Sequence, residues 1–379
     1  MKQGELPIYL DHNASTPILP EVLDAMLPWL RDHFGNPSSN HLYGRSMRAV
    51  VEEARERVAS LISCAPSEIF FTSGGTESNN LAIRGVASAI HDRRQVVTSV
   101  IEHPATSGPC SHLEQNGYSV FRAPVDGVGQ VMPGAVQEAL SEETVLVTVM
   151  HSNSETGTLQ AIEEIAESAH HAGALMHSDA AQSCGKVSID VQKEQVDLLS
   201  IAGHKLYAPQ GVGALYVRSG TPIQPLMIGA DHEKGLRPGT ENVASVVGLG
   251  KACEIAQRDL DQEGRRLVLL RNRLWSHLKD NIPGLELNGH PTNRLPNTLN
   301  VRFPGVSGIA LLAACPLVAA STGSACHAAG DQASAVILAM GVPGQEALGS
   351  VRLSLGRSTG EHEIAQAGKS LVQAWHELI

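Results

Sequence analysis

The feature that most narrows the fold is a rhythm. Short apolar runs alternate with helical patterns through the first two-thirds of the chain. EIFFTSG (68–74) reads as a strand ending in a glycine turn, and TESNNLAIRGVASAI (76–90) as a helix with Thr76 near its start. QVVTSVIEH (95–103), TVLVTVMHSNSETG (144–157), ALMHSDAAQS (174–183), VDLLSIAGHK (196–205) and VGALYV (212–217) continue the series, with the helix AIEEIAESAHHAG between the second and third. Continuous apolar strands separated by helices imply a mostly parallel sheet covered on both faces, an α/β fold. Ligands of such sheets bind at the strands' C-terminal ends. Those ends here carry Thr76, His103, Asn153, Asp179, Gln182 and Lys205.

A chain of 379 residues suits two domains better than one. The texture changes near residue 255. EIAQRDLDQEGRRLVLLRNRLWSHLKDNI (254–282) predicts a long, charged, amphipathic helix bridging to a second domain. LPNTLNVRF, ALLAACPLVAASTGSACHAAG and GSVRLSLGRST then read as strands and helices of a smaller α+β unit. No internal repeat or low-complexity tract interrupts the chain.

Composition removes several functions. A formal net charge of -11 and only 3% aromatic residues argue against nucleic acid or an anionic membrane as the main partner. There is no apolar signal-like segment at the start and no run of about 18 apolar residues, so a cytoplasmic protein is expected. The six cysteines form no CxxC pair and are expected to be mostly free thiols. The 17 histidines show no HExxH spacing, and no metal site is expected.

Lys205 sits after an apolar strand and before a glycine-rich turn. Buried lysines are rare because the ammonium loses its hydration. A pocket that strips water from the amine lowers its pKa, and a neutral amine facing an aldehyde forms a Schiff base. Pyridoxal phosphate (PLP) uses this chemistry. It also needs a carboxylate at its ring nitrogen, a role that suits Asp179, and a partner for its ring hydroxyl, which suits Gln182. SGGTESNN offers glycines and a helix N-terminus for the phosphate, with the Thr76 hydroxyl beside them. His103 is placed to stack on the ring.

With these residues in view, the chain resembles fold-type I PLP enzymes of the aminotransferase class V group, and within it the cysteine desulfurases. Ten segments carry the resemblance in order: YLDHNASTP, GNPSSNHLYGR, FTSGGTESNNLAIRG, EHPA, MHSNSETG, HSDAAQS, GHKLYAPQGVGALYV, RPGTEN, STGSACHAAG and VRLSLGRST. The resemblance implies a large PLP-binding domain over 15–255, and a small domain from 1–14 and 256–379 that carries the catalytic cysteine loop. It implies Lys205 as the PLP lysine, with Gly75, Thr76, His103, Asn153, Asp179, Gln182 and His204 around the cofactor. Thr240 would reach the phosphate in a neighbouring subunit, so a homodimer is implied. Cys326 matches the nucleophile that takes the sulfur of L-cysteine as a persulfide, releasing L-alanine. Lys205 or His103 would move the Cα proton. Arg352 matches the grip on the substrate carboxylate, with Asn13 and Asn153 as further substrate contacts. A protein acceptor for sulfur or selenium is expected.

The chain departs from the desulfurase pattern at two places and from the related lyases at a third. Ala202 replaces the serine usual before Gly-His-Lys, and Ser154 stands where NNETG is more usual; against selenocysteine lyases, which carry an acidic residue after the stacking histidine, the chain has Pro104. Selenocysteine lyases also lack that serine, so selenium release from L-selenocysteine is the rival activity. Two further functions compete with these. One is a class V aminotransferase or lyase in which Cys326 is incidental. The second is an idle scaffold that keeps PLP and binds a sulfur-transfer partner.

Overall fold

The computed structural model describes residues 6–323 and 332–379. Cys326 therefore lies outside the described residues. Regular structure begins with β1 (Ile8–Tyr9). Next come β2 (Ile69–Thr72), β3 (Gln95–Ser99), β4 (Ser119–Ala123), β5 (Thr144–Thr148), β6 (Leu175–Asp179), β7 (Leu198–Ala202) and β8 (Gly213–Val217). These seven build one sheet in the spatial order β2-β8-β7-β6-β5-β3-β4. β9 (Glu286–Asn288), β10 (Thr298–Arg302) and β12 (Ser350–Ser354) form an antiparallel sheet with β10 in the middle, and β11 (Val318–Ala319) pairs in parallel with β1.

The large sheet is mostly parallel, as expected. β8 alone runs against its neighbours β2 and β7. Two reversals restore the direction, so β2 points the same way as β3, β5, β6 and β7. The C-terminal ends of these five strands thus share one edge. Alternate side chains along each strand face opposite ways. Val96, Leu146, Leu198 and Leu215 pack under helices Gly75–Ala89 and Pro104–Gln115. Their neighbours Val97, Val147, Leu199 and Tyr216 enter the larger apolar cluster on the other face. Burying side chains of this kind stabilises by roughly 1.5–3 kcal/mol each.

Two elements differ from what the sequence predicts. β4 has no clear sequence signal, because all its residues but Ala123 are exposed or half-buried. The bridging helix runs Val243–Asn281, and so starts eleven residues before the predicted 254. Its cap is Asn242, whose side chain accepts from the Ser245 N–H. The added stretch, VASVVGLG, lacks a polar face because it is buried on several sides. A Cβ at Gly250 would meet Ala54 at 2.7 Å, so helix Leu42–Leu61 packs nearly backbone to backbone there. Val246, Leu249 and Ile255 of the long helix join the large cluster. Leu267, Leu270, Leu274 and Leu278 join a separate one with Val301, Leu353 and Leu371.

Candidate active site

A cleft with about 250 Å³ of interior space opens at the shared strand edge. Nine predicted residues line it: Asn13, Gly75, Thr76, His103, Asp179, Gln182, His204, Lys205 and Arg352. They come from segments spread over most of the chain, and the sheet direction brings them together.

Asp179 ends β6 and is fixed through both oxygens. Oδ2 accepts from Asn79 Nδ2 at 2.6 Å, and Oδ1 from the Ala181 N–H at 2.9 Å. Asn79 lies on the helix that begins at Gly75. Sequence reasoning misses it, because its partner is 100 residues away. Its Oδ1 is buried without a hydrogen bond. At Gly74 the backbone has φ +147°, which favours glycine. A Cβ at Gly75 would come within 3.2 Å of the Ala202 methyl, so side-chain bulk there would crowd the helix N-terminus.

Lys205 Nζ donates to two backbone carbonyls, Asn13 O at 2.6 Å and Ala14 O at 2.8 Å. Asn13 O also accepts from Gln182 Nε2 at 2.8 Å. His103 caps helix Pro104–Gln115, with Nδ1 accepting from the Ala105 N–H at 3.1 Å. A neutral imidazole accepting at Nδ1 carries its proton on Nε2. His204 contacts Ser15 Oγ through Nδ1 at 3.3 Å. Burial, with Lys205 and Lys186 close by, pushes His204 down to about 4, so its ring is neutral near pH 7.

At the far end, Arg352 donates from Nη2 to Asp11 Oδ1 at 2.6 Å and from Nη1 to Ser154 O at 3.1 Å. Its Nε is buried without a partner. Glu102, next to His103, is a second residue that sequence reasoning misses. Its Oε1 accepts from Ser99 Oγ and the Met150 N–H, while Oε2 is buried without a partner. Burial pushes this carboxyl up to about 8, against the pull of those two donors.

Two predicted residues do not line the cleft. The Asn153 side chain faces its own turn, where Oδ1 accepts from the N–H groups of Glu155 and Thr156. Thr240 lies on an exposed loop. The described cysteines Cys110, Cys184, Cys253 and Cys315 are buried and Cys64 is partly so, and burial pushes every one of these thiols up. A thiol held protonated is a poor nucleophile. Among the described residues no His/Cys/Asp/Glu cluster could hold a metal ion, and no helix is long and apolar enough to cross a membrane.

Comparison with known proteins fits this arrangement. The aminotransferase class V family model matches residues 8–366. Cysteine desulfurase IscS of Dictyoglomus turgidum is 44% identical over 360 residues, covering 94% of this chain and 91% of the relative. Cysteine desulfurase NifS of Azotobacter vinelandii is 43% identical, covering 94% and 90%. Among solved structures, a NifS-like protein superposes with a TM-score of 0.91 at 35% identity over 97% of this chain and 99% of that one. SspA in complex with cysteine superposes with a TM-score of 0.82 at 35% identity, over 92% and 98%.

Proposed function

The chain belongs to the class V aminotransferase family and, within it, to the PLP-dependent cysteine desulfurases, and from that premise we propose that it moves sulfur from L-cysteine to Cys326 as a persulfide and releases L-alanine. The observation that carries this reading is the meeting of Lys205, Asp179 and Arg352 in one cleft.

The residues present fit PLP. Asp179 is held where a ring nitrogen could be met, and Lys205 shares its cleft. Gly75 and Thr76 offer the N–H groups of a helix start, which carry no intrahelical partner and suit a phosphate. His103 would lie on the ring, with Gln182 and His204 at its edge. Thr240 would serve the neighbouring subunit's site in a homodimer. When bound, the cofactor supplies an electron sink for the pair left at Cα after proton removal.

The chain's own residues do the rest. Arg352 offers its unpaired Nε edge to the substrate carboxylate, while Asp11 and Ser154 hold the guanidinium in place. Lys205 is the better base for the Cα proton, because His103 Nδ1 already accepts from the Ala105 N–H. Cys326 as thiolate attacks the substrate sulfur. The S–S bond forms as the Cβ–S bond breaks, and a protein acceptor then takes the sulfur.

The test compares L-cysteine with L-selenocysteine. Selenium leaves more readily than sulfur, so it has less need of a nucleophile. Cys326→Ala is expected to abolish alanine formation from cysteine and to spare much of it from selenocysteine. Wild-type protein incubated with cysteine should carry one extra sulfur mass on the Cys326 peptide. Full cysteine turnover by Cys326→Ala would replace the persulfide route with simple PLP-lyase chemistry. Wild-type preference for selenocysteine would make the protein a selenocysteine lyase.

A further inference from the structure

Beside the cleft, in the wall of a neighbouring small cavity, lies a second lysine with no role in the reaction as derived above. Lys186 lies four residues beyond Gln182, and its Nζ donates to the Gln182 backbone carbonyl and to Gln182 Oε1, both at 3.0 Å. The two bonds decide which way the carboxamide faces. With Oε1 engaged by an amine, Nε2 is left to donate, and it does so to Asn13 O. Asn13 O is also the nearer of the two carbonyls that hold Lys205. An unbroken chain therefore runs from Lys186 through Gln182 and Asn13 to Lys205.

The charge around Lys186 is one-sided. Burial, then Lys205 and Arg352 close by, pull its amine down to about 7. Cys184 beside it is a buried thiol, protonated near neutral pH. His12, on the N-terminal segment, and His204 both feel its charge, and both rings are neutral at pH 7. A small cavity is walled by both lysines together with Glu263 and Arg357. Glu263 is already bonded to Arg266, and Arg357 to Asp259. Among the described residues no carboxylate forms an ion pair with Lys186. A buried amine beside a second cation gives up its proton more easily.

We infer that Lys186 is a positioning residue of this site: it orients the Gln182 carboxamide toward Asn13 O, the carbonyl that also holds Lys205, and in its protonated form it sets a second positive charge beside Lys205. The inference rests on the PLP reading of the cleft. Lys186 touches neither substrate nor reacting atoms. It acts through Gln182 and through its charge.

The experiment titrates the visible absorbance of the PLP-loaded, full-length protein with pH. In the wild type, the cation at Lys186 should hold the midpoint down. Lys186→Met removes both the charge and the donor, and should raise the midpoint by roughly one pH unit. Lys186→Gln keeps an N–H donor without the charge, so it should raise the midpoint similarly while retaining PLP better than Lys186→Met on dialysis. Lys186→Arg keeps the charge and should return the midpoint toward the wild type. If Lys186→Met does not fold, the Gln and Arg variants decide. A midpoint that ignores all the substitutions, whatever happens to the melting temperature, leaves Lys186 a structural residue and overturns the inference alone. A wild-type protein that shows no visible band after incubation with PLP overturns the cofactor reading and this inference with it.

Discussion

At one end of the cleft, Asp179 has its partners close by on the sheet edge. Ala181 is two residues on, and Asn79 opens the helix that covers the adjoining strand ends. At the other end, Arg352 is stitched to Asp11, 341 residues away in sequence, and to the Ser154 carbonyl. The first end is complete as soon as the large sheet forms. The second needs the N-terminal segment, the loop after β5 and strand β12 in register together. The difference separates two kinds of cost. Damage at the Asp179 end should fall on chemistry more than on folding, and damage at the Arg352 end should fall on both.

The strongest test lies between the two ends. Lys205→Ala is expected to lose turnover of cysteine and the visible absorbance of the loaded protein, with the melting temperature little changed. Borohydride should then fix no PLP to the chain. Retained absorbance that borohydride still fixes would place the cofactor's attachment elsewhere.

Next comes the contrast itself. Arg352→Leu leaves Asp11 without its partner at a largely buried site, and breaking such a pair costs roughly 3–5 kcal/mol. Urea unfolding should report that loss, together with a raised KM for cysteine. Asp179→Asn should cost far less stability, because the new amide nitrogen can donate to Asn79 Oδ1 once that carboxamide turns over. Its turnover should still fall sharply. Equal stability losses from the two variants would erase the distinction between the two ends.

A smaller effect is expected at the phosphate side. Ala202 presents a methyl beside Gly75, where the desulfurase pattern it resembles implies a serine. A hydrogen bond to a charged group contributes about 1.5–3 kcal/mol, so Ala202→Ser should slow PLP loss on dialysis about tenfold or more. Unchanged retention would mean that backbone N–H groups already satisfy the phosphate.

The last effect depends on pH and belongs to Glu102. Its folded-state pKa, about 8, lies above the ordinary 4.5. The folded state therefore holds its proton more tightly than the unfolded state. The associated stability is fully present below about pH 4.5, is lost progressively as pH rises from there, and is gone above about 8. Glu102→Gln keeps the acceptor for Ser99 and Met150 and removes the charge. It should melt near the wild type at pH 5 and above it at pH 9. Parallel melting curves at both values would show that Glu102 does not titrate in this window.

The legible parts of the molecule are those whose signal is local. The strand that ends in Asp179 and the one that leads into the turn carrying Lys205 announce themselves as apolar runs followed by a polar residue, and shared strand direction then gathers their ends. β4 hides because a strand exposed or half-buried along most of its length gives little period to read. The start of the long helix hides because VASVVGLG is buried on several sides and shows no polar stripe. Asn79, Glu102 and Lys186 each lie within a few residues of a predicted site residue. Their roles nonetheless depend on three-dimensional neighbours, and spacing in the sequence does not reveal a carboxyl stripped of water or a carboxamide turned by an amine. Gln182 shows the same limit: it lines the cleft as expected, but its amide is already engaged by Asn13 and Lys186.

The helix Val243–Asn281 has a consequence for how the protein comes apart. Its first half is held by one apolar cluster and its second by another, yet it is a single hydrogen-bonded rod. If the second cluster melted alone, Leu267, Leu270, Leu274 and Leu278 would face water on a helix still anchored at its other end. If the first melted alone, the glycine-bearing stretch around Gly248 and Gly250 would lose the close packing that offsets its poor helix propensity. Either partial state leaves half a helix without the tertiary support that long helices depend on. The rod thus transmits the loss of one cluster to the other, and heating should register one cooperative calorimetric transition across both.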